Sequence, residues 1–301
     1  MVKSTFFERL NNFIIAEAGI NHNGKLKTAL KLVDVAKKNG ASAIKFQTYI
    51  TEKRIQKKYK NIYDILKKCE LKFDDFKIIN DYCKYRKIDF FSTPFDKESV
   101  NFLNNLNVRL FKVASFDIAN YELINEIIKT RKPTIVSTGM ASLNEIDKVY
   151  NVFKKKKIDL ALLHCVSSYP SKDDSSYLSN INFLKKRFNC EIGISDHTND
   201  IKIPIYGNLL GAKIIEKHLK IDEKHKCVDS PVSITGKQLQ SLKIEIDNIR
   251  KILKTASFGI RKEERGSKRY QQKASILCIA QGVSSQAQNH VWLVRPGGPR
   301  H

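Results

Sequence analysis

Short apolar runs alternate with amphipathic stretches along residues 13–219. Eight such runs occur: FIIAEAG (13–19), AIKFQT (43–48), DFFSTPF (89–95), LFKVAS (110–115), PTIVSTG (133–139), LALLHCVSSYP (160–170), CEIGISDHT (190–198) and AKIIEKH (212–218). The intervals between them are long enough for one helix each. Strand-helix alternation repeated eight times predicts an α/β fold, a closed parallel (β/α)8 TIM barrel. In that architecture the chemistry sits at the C-terminal ends of the strands. The runs place Glu17, Lys45, Thr93, Lys112, Ser115, Ser195, His197 and His218 there.

The connectors carry helical periodicity. LKTALKLVDVAKKNG has apolar residues at 26, 29, 30, 32, 33 and 36, and Gly40 as a stop. NIYDILKKCELKFDDFKIINDYCKYRK is long enough for two helices, with a break over residues 71–74. Asp96, Ser142 and Thr235 each open an apolar-periodic segment as an N-cap. The last barrel helix is expected over 236–253. The barrel is expected over residues 10–262 and a short atypical, irregular tail over 263–301. Residues 274–301 contain no lysine, and Gln, Ser, Gly and Pro take over beside the only tryptophan, Trp292.

Composition narrows the function. A chain of 301 residues exceeds the ~250 of one barrel by a modest remainder. No run approaches the ~18 uninterrupted apolar residues of a membrane span, so no membrane partner is expected. Glu8 and Glu17 near the start and the lack of a small-residue cleavage site argue against a signal peptide. Six scattered cysteines without metal spacing fit reduced thiols, and a cytoplasmic location is expected. Cys165 and Cys190 are read as strand packing. The net charge of +23 raises the question of nucleic acid. The lysines are spread through KKNG, ILKKC, FKKKK and LKKRF as solvated helix faces, and no nucleic-acid motif accompanies them. A basic background instead suits an anionic substrate.

His197 and His218 fall at the ends of the seventh and eighth strands. Neighbouring strands lie about 4.8 Å apart, so two imidazoles there can share one divalent ion. The blander alternative is that each merely caps its strand. Asp196, Glu216 and Asp229 are acidic neighbours, and Glu17 comes from the first strand, which closes on the eighth. Lys45 and Lys112 end inner strands, where an ammonium is costly unless paired. With Thr48, Thr93, Ser115, Ser167, Ser168 and Ser195 they make a phosphate or carboxylate receptor. Their alternative role is to pair with carboxylates that hold the barrel together. His22, inside the NHNG turn, is read as structural.

Taken together, IIAEAGINHNG, IKFQT, STPFD, KVASFD, STGMAS, HCVSSYP, ISDHT and IIEKH make the chain similar to the sialic acid synthase family, from about Phe13 to Lys262. That family makes nine-carbon nonulosonic acids. The resemblance implies a divalent metal, typically Mn2+ with Mg2+ or Co2+ as alternatives, that activates the aldehyde of an open-chain N-acetylhexosamine such as N-acetylmannosamine. C3 of phosphoenolpyruvate attacks that aldehyde, water adds at C2, and phosphate leaves by C–O cleavage. By motif, His197 and His218 match the metal ligands. Glu17 matches a residue near the reacting carbons, and Asp229 one that orders metal-bound water. Lys45, Thr93, Lys112, Ser115 and Ser195 match phosphoenolpyruvate contacts. Gln47 and Tyr169 match positions close to the sugar. Ser167 stands where some members have Asn, Asp117 where many carry Glu, and VDSPVS replaces the common DHKxS. The family also implies a homodimer in which a small end domain reaches the partner's sugar site. Nothing after Lys262 resembles that domain. Two rival readings remain: another phosphoenolpyruvate-dependent sugar-phosphate synthase, and a truncated, inactive barrel.

Overall fold

A computed structural model of the chain describes residues 6–10, 12–254 and 258–271. Eight strands close in sequence order into a parallel barrel. They are β1 Phe13–Gly19, β2 Ala43–Thr48, β3 Asp89–Pro94, β4 Phe111–Val113, β5 Thr134–Ser137, β6 Leu160–Cys165, β7 Glu191–Asp196 and β8 Ile214–His218. After β1 comes α1 (Leu26–Lys38). After β2 come a one-turn helix α2 (Thr51–Arg54), α3 (Lys60–Cys69) and α4 (Phe73–Arg86). The later strands are followed by α5 (Lys97–Asn105), α6 (Tyr121–Lys129), α7 (Leu143–Lys156), α8 (Ser179–Arg187), α9 (Lys202–Leu209) and α10 (Gly236–Ile252).

The expected helix break between α3 and α4 falls at residues 70–72. The three N-caps are present: Asp96 accepts from the Ser99 amide at 2.7 Å, and Ser142 and Thr235 form capping boxes. Strands β4 and β6 are shorter than their apolar runs. Ser115–Asp117 turns into a 3-10 helix, and Pro170 has no N–H to offer a ladder.

Period-2 alternation sorts every strand into two faces. Outward residues such as Ile14, Ile44, Phe111, Val136, Leu162, Ile194 and Ile215 pack under the helices in the main core. Inward residues at the N-terminal half of the strands form a second apolar cluster, among them Phe13, Ile15, Phe91, Leu110, Ile135, Leu163 and Ile214. Phe7 joins that inner cluster at 1% exposure, upstream of residue 10, where the sequence reading starts the barrel. The Phe6 amide anchors it by donating to Asp159 Oδ2 at 2.5 Å. The barrel closes where Glu17 of β1 stands in register with His218 of β8. Beyond that seam the Asn21 side chain donates to the Leu219 carbonyl and to Ser233 Oγ, each at 2.9 Å.

One compact unit runs to Leu253 and a second starts at Lys254. In the second unit Lys254 and residues 258–271 are described, and 258–271 is exposed chain with 3-10 turns at Lys262–Glu264 and Lys268–Tyr270. Cys278, Trp292 and the lysine-free stretch 274–301 lie outside the described residues. Among the described residues no helix is long and apolar enough to cross a membrane.

Candidate active site

The inward face changes character half-way up the barrel. Above the apolar cluster the same parity of positions carries Glu17, Lys45, Thr93, Lys112, Ser137, Cys165, Ser195, Glu216 and His218, all buried. Four of these are formal charges facing one another. Lys45 is ion-paired with Glu17 and donates to Thr93 Oγ1 at 3.1 Å. Glu216 lies 3.4 Å from Lys112 and 3.8 Å from Lys45, and accepts from Ser195 Oγ at 2.9 Å. Lys112 also donates to Ser137 Oγ at 2.7 Å. Burial opposes the Glu216 charge, but the two ammonium groups outweigh it and hold its pKa at about 2. For Glu17 burial wins, so its carboxyl is raised above the usual range despite Lys45. Burial likewise lowers Lys112. Lys45 is raised, because Glu17 and Glu216 outweigh its desolvation.

Next to Lys112 the chain leaves a cradle. The Gly139 amide donates to Ser115 Oγ at 3.1 Å, and Ser167 Oγ has no partner among the described residues. A methyl group at Gly139 would stand 2.3 Å from Ser167 Oγ and 2.8 Å from Ser115 Oγ. Glycine at 139 thus lets the Ser115 and Ser167 hydroxyls approach the backbone closely, and hydroxyls grouped with a backbone amide are anion-binding chemistry.

His197 and His218 rise above this layer with ring centroids 5.4 Å apart. Tyr169 covers His197 at 4.1 Å and meets His218 edge-on at 6.1 Å. His197 Nδ1–H donates to the Val166 carbonyl at 2.8 Å, which leaves Nε2 as a lone-pair donor. His218 Nδ1 stands 3.3 Å from Asp229 Oδ2. Burial acts against the His218 charge, yet Asp229 raises its pKa. Among the described residues no three His, Cys, Asp or Glu side chains converge on a metal position by themselves. Two imidazoles at this spacing, with the unpartnered Glu17 Oε1 and Asp229 close by, do suit one divalent ion completed by water. Gly19, at φ +48°, shows how tight this side is: a methyl there would lie 2.9 Å from Glu17 Oε1, 3.4 Å from Asp229 Oδ2 and 3.5 Å from Gln47 Nε2.

The NeuB family model matches residues 32–257. The chain belongs to the NeuB family. An uncharacterized protein of Methanocaldococcus jannaschii is 41% identical over 82% of this chain and 72% of its own length. The N,N'-diacetyllegionaminic acid synthase of Campylobacter jejuni is 36% identical over 85% of this chain and 80% of its own. The crystal structure of an N-acetylneuraminic acid synthetase from Leptospira borgpetersenii superposes with a TM-score of 0.82 at 38% identity, covering 86% and 91% of the two chains. This NeuB chain is therefore an enzyme of the sialic-type acid synthase class, a transferase that forms a carbon–carbon bond.

In this NeuB barrel the twelve residues matched by motif to site positions lie at the C-terminal end. Lys45, Thr93, Lys112, Ser195 and Glu17 share the charged layer; Ser115 and Ser167 edge the cradle; Gln47, Tyr169, Asp229, His197 and His218 stand above. Three expectations need correction. Thr48 is no part of the anion receptor: it shares the outward face with Ile44 and Phe46, where its hydroxyl pairs with Ser92 Oγ at 2.7 Å. Asp196 does not support the histidines: it points outward, ion-paired with the buried Lys217 at 2.5 Å and bonded to Thr198 Oγ1 at 2.8 Å. Parity gives the reason, since Asp196 shares the outward face with Ile192 and Ile194. By the same rule Glu216 shares the inward face with Ile214, so its partners are the two lysines. Ser137 and Arg54 were missed. Ser137 is readable by parity from Ile135, whereas Arg54 sits on a one-turn helix that leaves no periodic signal. Cys165 also faces inward, 3.8 Å from His197 Nδ1. His22 is buried and accepts from the Gly24 amide at 3.1 Å; burial lowers its pKa to about 4, which keeps it neutral as its structural reading requires.

Proposed function

We propose that this NeuB enzyme condenses phosphoenolpyruvate with an N-acetylated hexosamine and releases inorganic phosphate. The observation that carries this reading is the pairing of two receptors in one barrel mouth. An ammonium-and-hydroxyl cradle lies at Lys112, Ser115, Gly139 and Ser167, and two converging imidazoles lie beside it at His197 and His218.

Phosphoenolpyruvate brings a phosphate and a carboxylate. Lys112, Ser115 and the Gly139 cradle bind the phosphate, while Lys45, Thr93 and Ser195 hold the carboxylate end. Gln47 and Tyr169 orient the acceptor so that its aldehyde carbon faces C3. The new bond joins C3 to that carbon, and the aldehyde oxygen takes up a proton. Water then adds at C2 and the C–O bond to phosphate breaks. Glu17, whose carboxyl is raised by burial, is placed to hold or pass a proton at Oε1. His197 and His218 would hold a divalent ion, Mn2+ in our reading, which supplies Lewis-acid polarisation of the aldehyde when bound.

The test is phosphate release from phosphoenolpyruvate with a panel of N-acetylhexosamines. Mn2+-dependent turnover that is lost in chelator and in His197→Ala and His218→Ala is expected. Full turnover in chelator sinks the metal assignment. Turnover with phosphorylated acceptors alone would select the sugar-phosphate synthase reading instead.

A further inference from the structure

The assignment of Gln47, Glu17 and Asp229 to the acceptor side rests on the function proposed above. A cation that this function has not used stands beside them. Arg54 ends α2, the single turn that follows β2. Both sides of α2 are pinned: the Ile50 amide donates to Asp96 Oδ2 at 2.8 Å, and the Thr51 hydroxyl to Glu70 Oε2 at 2.6 Å. The guanidinium carbon lies 3.6 Å from the Phe95 ring centroid and 4.7 Å from that of Tyr49. A planar cation stacked on an aromatic face has little freedom left to lose on binding.

One Arg54 N–H donates to Gln47 Oε1 at 3.0 Å. A guanidinium has five donors. Among the described residues its side chain makes no other hydrogen bond and has no carboxylate within 4.0 Å. Burial works against its charge and lowers its pKa, although Tyr49, Asp117, Asp229 and Tyr169 favour the charged form. The bond to Oε1 also decides how the Gln47 amide is turned. With the oxygen held by Arg54, Nε2 faces the space beside Gly19 that Glu17 Oε1 and Asp229 Oδ2 border. That space therefore has N–H donors on one side and carboxylate oxygens on the other. The Asp229 carboxylate repels an anionic group, while hydroxyl and amide groups find partners on both sides.

We infer that Arg54 is a specificity-determining residue of the acceptor site. It locks the Gln47 carboxamide with its donor face towards Glu17 and Asp229, and its unspent N–H groups bind a carbonyl or hydroxyl oxygen of a neutral, N-acylated sugar.

The test uses the full chain, phosphoenolpyruvate and the unphosphorylated hexosamine that wild type turns over best. Arg54→Met keeps an apolar body over Phe95 and removes the donors. It is expected to raise the acceptor KM by about tenfold or more, the scale of a hydrogen bond to a charged group, and the phosphoenolpyruvate KM by less than about threefold. Arg54→Lys should recover part of the loss, and it carries the measurement if Arg54→Met does not fold. Gln47→Ala added to Arg54→Met should cost less than Gln47→Ala alone, because the amide is already released. An unchanged acceptor KM, equal changes in both KM values, or fully multiplicative losses in the double variant would each overturn the role of Arg54. If wild type releases no phosphate with any hexosamine, the reading of the whole site fails and this inference fails with it. If wild type is active and Arg54→Met keeps its acceptor KM, only Arg54 is misassigned.

Discussion

Glu216 faces Lys45 and Lys112 from the floor of the site; Lys45 shares it with Glu17, whereas Lys112 has no other carboxylate within 4.0 Å among the described residues. Glu17, the other buried partner, is itself pushed towards its neutral form by burial. Removing the Glu216 charge would leave two ammonium groups poorly compensated in a low-dielectric interior. Glu216→Gln is therefore expected to cost about 3–5 kcal/mol of stability at neutral pH. The pH dependence has a definite sign. The folded pKa of about 2 lies below the ordinary glutamate value of 4.5, so the carboxylate contributes stability above pH 4.5 and loses it as pH falls towards 2. The gap between wild type and Glu216→Gln should accordingly narrow over that window. Denaturant midpoints measured from pH 7 to pH 3 check this, and a gap that stays constant would show that the charge is not what matters.

Between strands, the loop that follows β5 sets the size of the anion cradle. Gly139 is not in the left-handed region, so an added methyl meets side chains and not backbone strain. Gly139→Ala should cost about 1–3 kcal/mol of stability by overpacking and raise the phosphoenolpyruvate KM by about tenfold or more, the cost of losing a charge-assisted contact. A variant with wild-type KM would remove the cradle from the phosphate site. Elements of this kind were largely legible in the amino-acid pattern. The strands, the three N-caps and the α3–α4 break follow from apolar runs and polar stops. The site residues follow from polar positions at the ends of those runs. What the pattern left out has specific causes. Asp196 was grouped with His197 by nearness in sequence, although adjacent strand residues point to opposite faces. Glu216 was grouped with His218 for the same reason, and its two lysine partners come from strands 104 or more positions away in the chain. Arg54 depends on a one-turn connector whose position is set by Asp96 and Glu70, and no periodicity announces such a contact.

At the scale of the molecule, the barrel divides its labour between two ends. The lower end is a dry plug that Phe7 completes, and the upper end is the charged mouth. Phe7→Ala should therefore destabilise the fold by about 3–5 kcal/mol while leaving both KM values within about twofold of wild type. A large change in either KM would mean that the two ends are coupled. The seam between β1 and β8 has a different kind of consequence. Glu17 and His218 meet in register there, and Asn21 ties itself to Leu219, 198 positions along the chain. No piece of the chain that lacks either β1 or β8 contains both halves of the reaction centre. Joining such distant segments carries a loop-closure cost that is repaid only when the ring is complete. Catalytic competence in this protein is thus a report on the topology of the entire chain: a polypeptide halted before its eighth strand would keep Lys45, Lys112 and His197 but lack Glu216, His218 and Asp229.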